Sequence, residues 1–583
     1  MRTYYNNELR IENVGEVVTL VGWCAKKRNL GGLVFIDLRD RSGITQLVVK
    51  PENSCYETAL SAKNEYVLKV TGKVIERESK NKNIPTGDVE VEVAEFEILN
   101  IAENPPLLIQ DPTDALEDTR MKYRYLDLRR PSMQYNLMLR HKTTISVRNY
   151  FDQQGFVEIE TPYLGKSTPE GARDFLVPSR VHQGSFYALP QSPQIYKQLL
   201  MVAGFDKYFQ IAKCFRDEDL RADRQLEFTQ VDVEMSFVDE EDIFAILEGL
   251  MKKVWKDTLN QDIQTPFIRM NYDDAMNNYG SDKPDTRFEM LLQNLTNWAK
   301  EVEFGVFQNQ IANGGQVKAI VAKDAANKYS RKEIDRLTEM AKKYHASGLA
   351  WLKYENSALA GSIVKFLNEE NQNKLIEELK LENNDLILFV SDKLEVCNFA
   401  LGALRLQLAK ELNLIDPDKF NFLWVVNWPL FEYDEEEQRY VAAHHPFTSP
   451  KAGDEEFLLS NPGKCRAKAY DIVLNGYELG GGSIRIHNQE TQAKMFKAIG
   501  LSDEEVRNQF SFFVDALKYG TPPHGGFAIG LDRLVMLLTK NNNLREVIAF
   551  PKAASAKCPM SDAPTPVSKK QLDELALSIE KAK

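Results

Sequence analysis

Cysteine is scarce in this chain: six residues in 583, at positions 24, 55, 214, 397, 465 and 558. They form no CxxC pair and no spacing typical of a secreted disulfide framework, which fits a reduced cytosol. Long hydrophobic runs are missing too. No apolar stretch approaches the roughly 20 residues needed to cross a bilayer, and the start, MRTYYNNELR, has neither an apolar core nor the Arg/Ser-rich character of a transit peptide. A soluble, cytoplasmic protein without a membrane role is therefore expected. There is no GxxxxGK[ST] string, which disfavours a P-loop nucleotidase. The adjacent His444 and His445 have no second His or Cys at ligand spacing, so zinc is not expected. Positive charge is in deficit, with 73 Lys and Arg against 85 Asp and Glu, a net charge of -12 and a pI near 5.4. That argues against a general nucleic-acid coat and leaves room for a local basic patch; no DNA partner is expected.

The length exceeds what one core can organise, so several domains are expected. Residues 1–104 read as five short strands (VVTLVGWCAKKR, LVFIDLRD, ITQLVVK, YVLKVTGKVIER, VEVEVAEFEILN) with one helix near Glu57–Lys63, a pattern that predicts an OB-fold barrel. Lys26, Lys27 and Arg28 form a basic cluster beside Phe35, and OB-folds use basic grooves with stacking aromatics to hold unstacked bases. The competing reading makes Phe35 barrel core. Residues 105–135, Pro- and charge-rich, read as a hinge. A helix over NLMLRHKTTISVRNYFDQQGF, stopped by Gly155, and a strand FVEIE before Thr161-Pro162 follow.

The chain is organised around Phe215–Phe237, FRDEDLRADRQLEFTQVDVEMSF. Its second half alternates, with Val231, Val233, Met235 and Phe237 on one side and Gln230, Asp232, Glu234 and Ser236 on the other. The preceding YFQIAKCF is a second strand, and the charged stretch Asp217–Gln225 is the loop between them. Arg216 thus sits at a strand end, where its planar fork suits a phosphate; pairing with Asp217, Glu218 or Asp219 is the alternative. In LPQSPQIYKQLLMVAG the spacing predicts a helix with Ser192 as N-cap, Pro193 at the first turn and Leu199 and Leu200 buried; Gln194 and Lys197, three apart, share a face. Another helix spans Glu241–Leu259. Residues 288–415 mix helical (EIDRLTEMAKKYHA, IEELKLE) and strand-like (DLILFV) segments without chemistry-bearing spacing, and His345 there reads as structural. In AYDIVLNGYELGGGSIRIH, Asp471 and Glu478 fall on successive hairpin strands about an Asn475-Gly476 turn, an arrangement able to hold Mg2+. Gly480–Gly482 would let a ligand approach the backbone. In GTPPHGGFAIGLDRLVMLL, Leu531, Leu534, Val535 and Leu538 follow helical spacing, so Arg533 leaves a buried helix and calls for a phosphate or an acid.

FRDE followed by EFTQ resembles motif 2 of the class II aminoacyl-tRNA synthetases, and the fuller FRDEDLRADRQLEFTQ resembles their aspartyl branch. The helix ending at Gly155 with FVEIE and Pro162 is similar to motif 1, and GLDR (Gly530–Arg533) to motif 3. The resemblance covers nearly the whole chain. It implies an α+β multidomain protein: an OB-fold anticodon-binding domain (1–104), a hinge (105–135), an antiparallel-sheet catalytic core in two parts (136–287 and 416–560) split by an inserted α+β domain (288–415), and a C-terminal extension (561–583).

It further implies ATP-dependent activation of L-aspartate with Mg2+, transfer to tRNA(Asp), and a homodimer built on motif 1. Arg216, Glu478 and Arg533 would be catalytic. Aspartate would contact Glu170 of the polar loop STPEGARDF, Ser192, Gln194, Lys197, Arg216, Gln230, Asp232, His444 and Arg485. ATP would contact Arg216, Asp217, Glu218, Gln225, His445, Glu478, Gly530, Leu531, Asp532 and Arg533, with Mg2+ on Asp471 and Glu478. Anticodon bases would meet Arg28, Leu30, Phe35, Gln46 and Glu90, and Leu30 matches the form associated with enzymes that charge aspartate tRNA alone. Two rivals stand beside this. An asparaginyl synthetase would not be expected to carry the insertion, and a non-catalytic RNA-binding homologue would be expected to lose Arg216, Glu478 or Arg533, all of which are present.

Overall fold

In the computed structural model, which describes residues 1–168 and 172–580, the five N-terminal strands close on themselves. They are β1 (Val17–Leu30), β2 (Leu33–Asp40), β3 (Gly43–Val49), β4 (Val67–Glu76) and β5 (Val89–Asn100), in barrel order β1-β2-β3-β5-β4, with helix α1 (Tyr56–Ser61) between β3 and β4. Alternation explains the closure. Val34, Ile36 and Leu38 of β2 point inward to Leu20, Leu47, Val70 and Val91, and a period of two buries one face only. Phe35 lies on the opposite face, half-buried and outside the barrel core, so the reading of it as core does not hold.

Residues 105–135 are more than a hinge. They form α2 (Glu117–Lys122) and α3 (Arg124–Asp127) around a buried ionic cluster in which Asp127 pairs with Arg120 (2.9 Å), Arg124 (2.6 Å) and Arg130 (2.8 Å). Arg120 also pairs with Glu546 at 2.8 Å. The charges that give the segment its linker-like composition satisfy one another. Two compact units result, 1–142 with 219–226 and 535–583, and 143–218 with 227–534. The serial boundaries read from the sequence therefore cut across the folded units at 219–226 and 535–560.

Along the chain, α4 (Pro131–Gln153) ends before Gly155 (φ +78°), and the strand after it, β6, is only Val157–Glu158, shorter than FVEIE. The hairpin β7 (Leu176–Pro178) and β8 (Phe186–Ala188) precedes α5 (Gln194–Val202), β9 (Lys207–Phe215), β10 (Glu227–Ser236), α6 (Glu240–Leu259), β11 (Ile268–Asn271) and α7 (Tyr272–Tyr279). The insertion contains β12 (Gln293–Asn294), α8 (Thr296–Ala299), α9 (Gly305–Ala312), β13 (Gln316–Ala322), α10 (Arg331–Lys342), β14 (Ala350–Glu355), β15 (Ala358–Gly361), α11 (Glu369–Glu378), β16 (Asp385–Asp392) and α12 (Leu394–Glu411). Its antiparallel sheet, β12-β13-β16-β14-β15, is covered on both faces. Leu386, Leu388 and Val390 of β16 enter the core with α10 and α12, and Ile387 and Phe389 enter the one with α8, α9 and α11, which is why DLILFV reads as a continuous apolar run.

After β17 (Phe422–Val426), the hairpin β18 (Phe431–Asp434) and β19 (Arg439–Ala442), and the strands β20 (Ala469–Leu474), β21 (Tyr477–Ile484) and β22 (His524–Gly530), the main sheet is complete: β11-β17-β20-β21-β22-β10-β9-β6. It is antiparallel except for the outer pairs β11/β17 and β6/β9. Val231, Val233 and Met235 of β10 share one face with Phe527, Ile529 and Trp424, and α6 covers it: the Phe244 ring stands 4.3 Å from Trp424 and 5.3 Å from Tyr470. Burying each such side chain contributes about 1.5–3 kcal/mol. The alternation stops at Ser236. Phe237, expected to continue the apolar face, turns to φ +58° and is 72% exposed, because the chain there enters the N-cap of α6 at Asp239.

Candidate active site

The other face of the sheet is polar at its centre. Gln230, Asp232 and Glu234 of β10 stand beside Gly530, Ala528 and Gly526 of β22, and beyond these lie Gly481 and Ser483 of β21. The small residues leave the carboxylates space, and a cavity of about 560 Å³ opens over them, within the roughly 300–1,000 Å³ common for small-molecule sites. Of the residues picked from sequence, Ser192, Gln194, Lys197, Arg216, Glu218, Gln230, Asp232, His444, His445, Asp471, Glu478 and Arg485 line it. Glu170 lies outside the described residues.

On the floor, Lys197 Nζ is 2.7 Å from Asp232 Oδ1 and 3.4 Å from Glu234 Oε2, and Arg485 Nε is 3.0 Å from Glu234 Oε1, with none of the four side chains more than 2% exposed. Two cations and two anions balance, which lets them stay buried. Burial raises the Asp232 carboxyl above its ordinary range in spite of Lys197. Burial pushes Glu234 the same way, but Arg485 and Lys197 together outweigh it and hold Glu234 below the usual range. Glu234 was not among the residues picked, although the alternation had put it on the polar face; its partner Arg485 was the missing signal. Arg485 Nη1 also donates to Ser483 Oγ (2.7 Å) and meets His445 Nε2 (2.7 Å). A guanidinium only donates, so His445 Nε2 accepts from Arg485, while Nδ1 faces the Phe447 N–H at 3.2 Å; burial and Arg485 push the His445 pKa far down. The same two causes hold His444 down to about 4.

Among the described residues, four buried polar atoms on side chains lining the cavity have no hydrogen-bond partner: Gln194 Nε2, Arg216 Nε, Asp232 Oδ2 and His444 Nδ1. Orphaned groups of this kind are costly and rare. Arg216 carries its guanidinium over the Phe228 ring at 5.1 Å rather than in the salt bridge weighed as its alternative.

Asp471 of β20 and Glu478 of β21 flank the Asn475 (φ +54°)–Gly476 (φ +83°) turn. A bulge at Leu479 resets the register, so that Glu478 (opposite Val473) and Gly481 (opposite Asp471) share a face. Burial raises the Asp471 pKa well above its ordinary value, with Glu478 and Asp282 adding to this and Lys283 opposing it. Two carboxylates left with excess negative charge fit a hard divalent cation. Among the described residues no three His, Cys, Asp or Glu converge on one point, so phosphate oxygens and water would complete its shell. Gly481 and Gly482 line the cavity, and the three glycines also let the chain itself close up. A Cβ at Gly480 or Gly482 would come 2.1 Å or 2.0 Å from a β22 carbonyl oxygen, and one at Gly481 would lie 2.2 Å from Asp471 Oδ1.

Several sequence assignments fall away from the cavity wall. Ser192 lines it but is not the N-cap: α5 begins at Gln194 with Pro193 at the N-cap, and buries Ile195, Met201 and Lys197 while Leu199 and Leu200 are only half-buried. Asp217 is tied by its backbone to Arg173. Gln225 hydrogen-bonds the backbone of Lys552 in both senses, at 3.1 Å and 2.8 Å. Gly530 ends β22, Leu531 is core, and Asp532 Oδ2 accepts from the Thr229 N–H at 2.8 Å. Arg533 Nη1 donates to the Glu478 carbonyl. Lining residues without a sequence assignment include Asp282, Trp428 and Glu432.

On the barrel, Arg28 donates to Asp37 (2.6 Å) and Gln46 (3.1 Å), and Gln46 donates to Glu90 (2.5 Å), with Phe35 directly across from Arg28. Leu30 is 62% exposed at the β1–β2 turn. Arg77, missed in the sequence, joins them by donating to Gln46 at 3.1 Å; its place at the end of the alternating strand VLKVTGKVIER was the available signal.

Residues 116–554 match the family described as tRNA synthetases class II (D, K and N), and residues 18–99 match the OB-fold nucleic acid binding domain. The chain is 60% identical over 582 residues to a protein of Streptococcus agalactiae serotype V named Aspartate--tRNA ligase, covering 99% of each. It is 58% identical over 586 residues to one of Geobacillus sp. (strain WCH70) named Aspartate--tRNA(Asp/Asn) ligase, covering 100% of this chain and 99% of the relative. A solved asparaginyl-tRNA synthetase from Pyrococcus horikoshii, complexed with asparaginyl-adenylate, shares the fold with a TM-score of 0.58 at 19% identity, over 94% of this chain and 97% of that one. By the match across 116–554 and these full-length identities, the chain belongs to the class II tRNA synthetases of the D, K and N group.

Proposed function

We propose that the protein is an aspartate–tRNA ligase: it joins L-aspartate to ATP, giving aspartyl-adenylate and pyrophosphate, and transfers aspartate to the 3′ end of tRNA(Asp). The observation that carries this is the set of unpartnered polar atoms around a charge-balanced floor. Asp232 Oδ2 is an acceptor for an ammonium group, and Gln194 Nε2 is a donor. Lys197 and Arg485 supply the cations that distinguish a side-chain carboxylate from the isosteric amide of asparagine. The relatives at 58–60% identity carry the aspartate name, whereas the asparaginyl likeness is one of fold.

The reaction is in-line attack of the α-carboxylate of aspartate on the α-phosphorus of ATP. Both reactants are anions, so positioning and charge neutralisation dominate, and no general base is needed because the nucleophile is already ionised. Arg216, with its unpartnered Nε, neutralises charge on the α-phosphate. Mg2+ on Asp471 and Glu478 would neutralise charge on the phosphates, and Arg533 keeps the Glu478 backbone in place from the helix Leu531–Leu538. Arg28, Leu30, Phe35, Gln46 and Glu90 read the anticodon. Exposed Tyr135, Met138 and Ile145 on α4, at 54%, 43% and 43%, support a homodimer. A cytoplasmic location is part of the same reading; no described helix is long and apolar enough to cross a membrane.

Arg216→Ala tests the assignment. Its folded form is expected to lose aspartate-dependent ATP–pyrophosphate exchange, and near-normal exchange would remove Arg216 from the chemistry.

A further inference from the structure

The segment 280–287, which leads from α7 into the inserted domain, is fixed at both of its ends. At its α7 end, Gly280 (φ +67°) lies directly on α12: a Cβ on it would come 2.1 Å from the Asn398 carbonyl oxygen, and one on Gly402 would come 2.6 Å from the Gly280 carbonyl oxygen. Lys318 of β13, 2% exposed, donates to the Asn277 carbonyl and to Asn398 Oδ1, both at 2.7 Å. Arg405 of α12, 1% exposed, donates to the carbonyls of Asp285 (3.0 Å), Phe288 (2.8 Å), Glu289 (3.1 Å) and Met290 (3.0 Å), with its guanidinium 3.9 Å from the Phe288 ring centre. A buried cation without a carboxylate is expensive, so a guanidinium spanning four carbonyls gives the segment one conformation.

The other end meets the hairpin of the cavity. Asp285, paired with Arg287 at 2.7 Å, packs against the hairpin turn, where a Cβ on Gly476 would come 3.2 Å from its own Cβ. Asn421 donates from Nδ2 to the Thr286 carbonyl (3.0 Å) and from its backbone to Asn475 Oδ1 (2.9 Å). Asn475 and Gly476 are the turn between Asp471 and Glu478, and Asp282, midway along the segment, lines the cavity with both carboxylates.

We propose that the inserted domain is a positioning element for the hairpin that carries Asp471 and Glu478, with Arg405 as its anchor and residues 280–287 as the link. Two carboxylates that repel each other hold a useful spacing only if their strands cannot spread, and the link braces the turn from which both strands spring. Arg405 is a positioning residue. The inference rests on the proposed adenylate-forming reaction, and its test separates the two.

In full-length protein, Arg405→Met removes the four donations. Binding of Mn2+ in the presence of ATP, without amino acid and read by electron paramagnetic resonance, is expected to weaken about tenfold, as is the Mg2+ half-saturation of exchange. The KM for aspartate should stay within about twofold, because among the described residues the Lys197–Asp232–Glu234–Arg485 floor is held by ion pairs of its own, with no hydrogen bond or ion pair to the link. Arg405→Lys, which keeps the charge but not the four-carbonyl span, gives the same split if the Met variant does not fold. Unchanged Mn2+ affinity in a folded variant overturns the proposal, as does a rise in aspartate KM equal to the loss in metal affinity. If the wild-type protein shows no aspartate-dependent exchange, the assigned reaction fails, while the Mn2+–ATP titration still decides the brace.

Discussion

Replacing Lys197 with Met takes one cation from a floor that now balances. Lys197 Nζ lies 2.7 Å from Asp232 and 3.4 Å from Glu234, and both carboxylates are fully buried. At an effective dielectric of about 20 the nearer contact alone is worth roughly 6 kcal/mol before desolvation; once desolvation is included, breaking a buried pair from one side costs about 3–5 kcal/mol. Arg485 remains on Glu234, so the loss falls on Asp232, whose carboxyl burial has already raised. Without Lys197 it rises further. A carboxyl whose folded pKa exceeds its unfolded value contributes stability below the unfolded pKa and loses it as pH rises through the folded one. The deficit of Lys197→Met relative to wild type should therefore be larger at pH 8 than at pH 5, where Asp232 can take a proton. Urea midpoints followed by tryptophan fluorescence at both pH values measure it, and preference for aspartate over asparagine in kcat/KM should fall by at least about 100-fold. An equal deficit at the two pH values, or none at pH 8, would refute the reasoning.

Other consequences are independent of that cluster. Phe35→Ala removes an outward-facing ring from the barrel and should weaken tRNA binding by about 1–3 kcal/mol, measured by filter binding, while leaving pyrophosphate exchange unchanged. Gly481→Ala sets a Cβ 2.2 Å from Asp471 Oδ1 and should raise the Mg2+ needed for half-maximal exchange about tenfold, as a metal titration would show. His444, held down to about 4 by burial and Arg485, stays neutral from pH 5 to 8. The pH profile of exchange should then have the same shape in His444→Asn as in wild type over that range, and an inflection near 6.5 that disappears in the variant would contradict its depressed pKa.

Period-two alternation made the barrel and β10 legible, and the Asn475-Gly476 turn placed the acidic hairpin, because each is a local signal. The residues lining the cavity were reached through motif resemblance, and most of them converge. What stayed hidden is long-range. Asp127 gathers three arginines and makes structure of a stretch whose composition reads as linker. Glu234 shows its role only once Arg485, 251 residues away, is folded onto it. Asp532 and Gln225 sit inside motif-like strings yet hold backbone groups, and their hydrogen-bond partners cannot be read from spacing. The glycines at 480–482 read as places of close approach, and the β22 backbone and Asp471 come close to them; that these two groups do so is a long-range fact that the local sequence does not carry.

Amino-acid-dependent ATP–pyrophosphate exchange with Mg2+, run across the twenty amino acids on the intact protein, tests the central claim most directly. The charge-balanced floor with its two cations predicts exchange with L-aspartate and with no other amino acid. Exchange driven by asparagine, or none with any amino acid in folded protein, would contradict it.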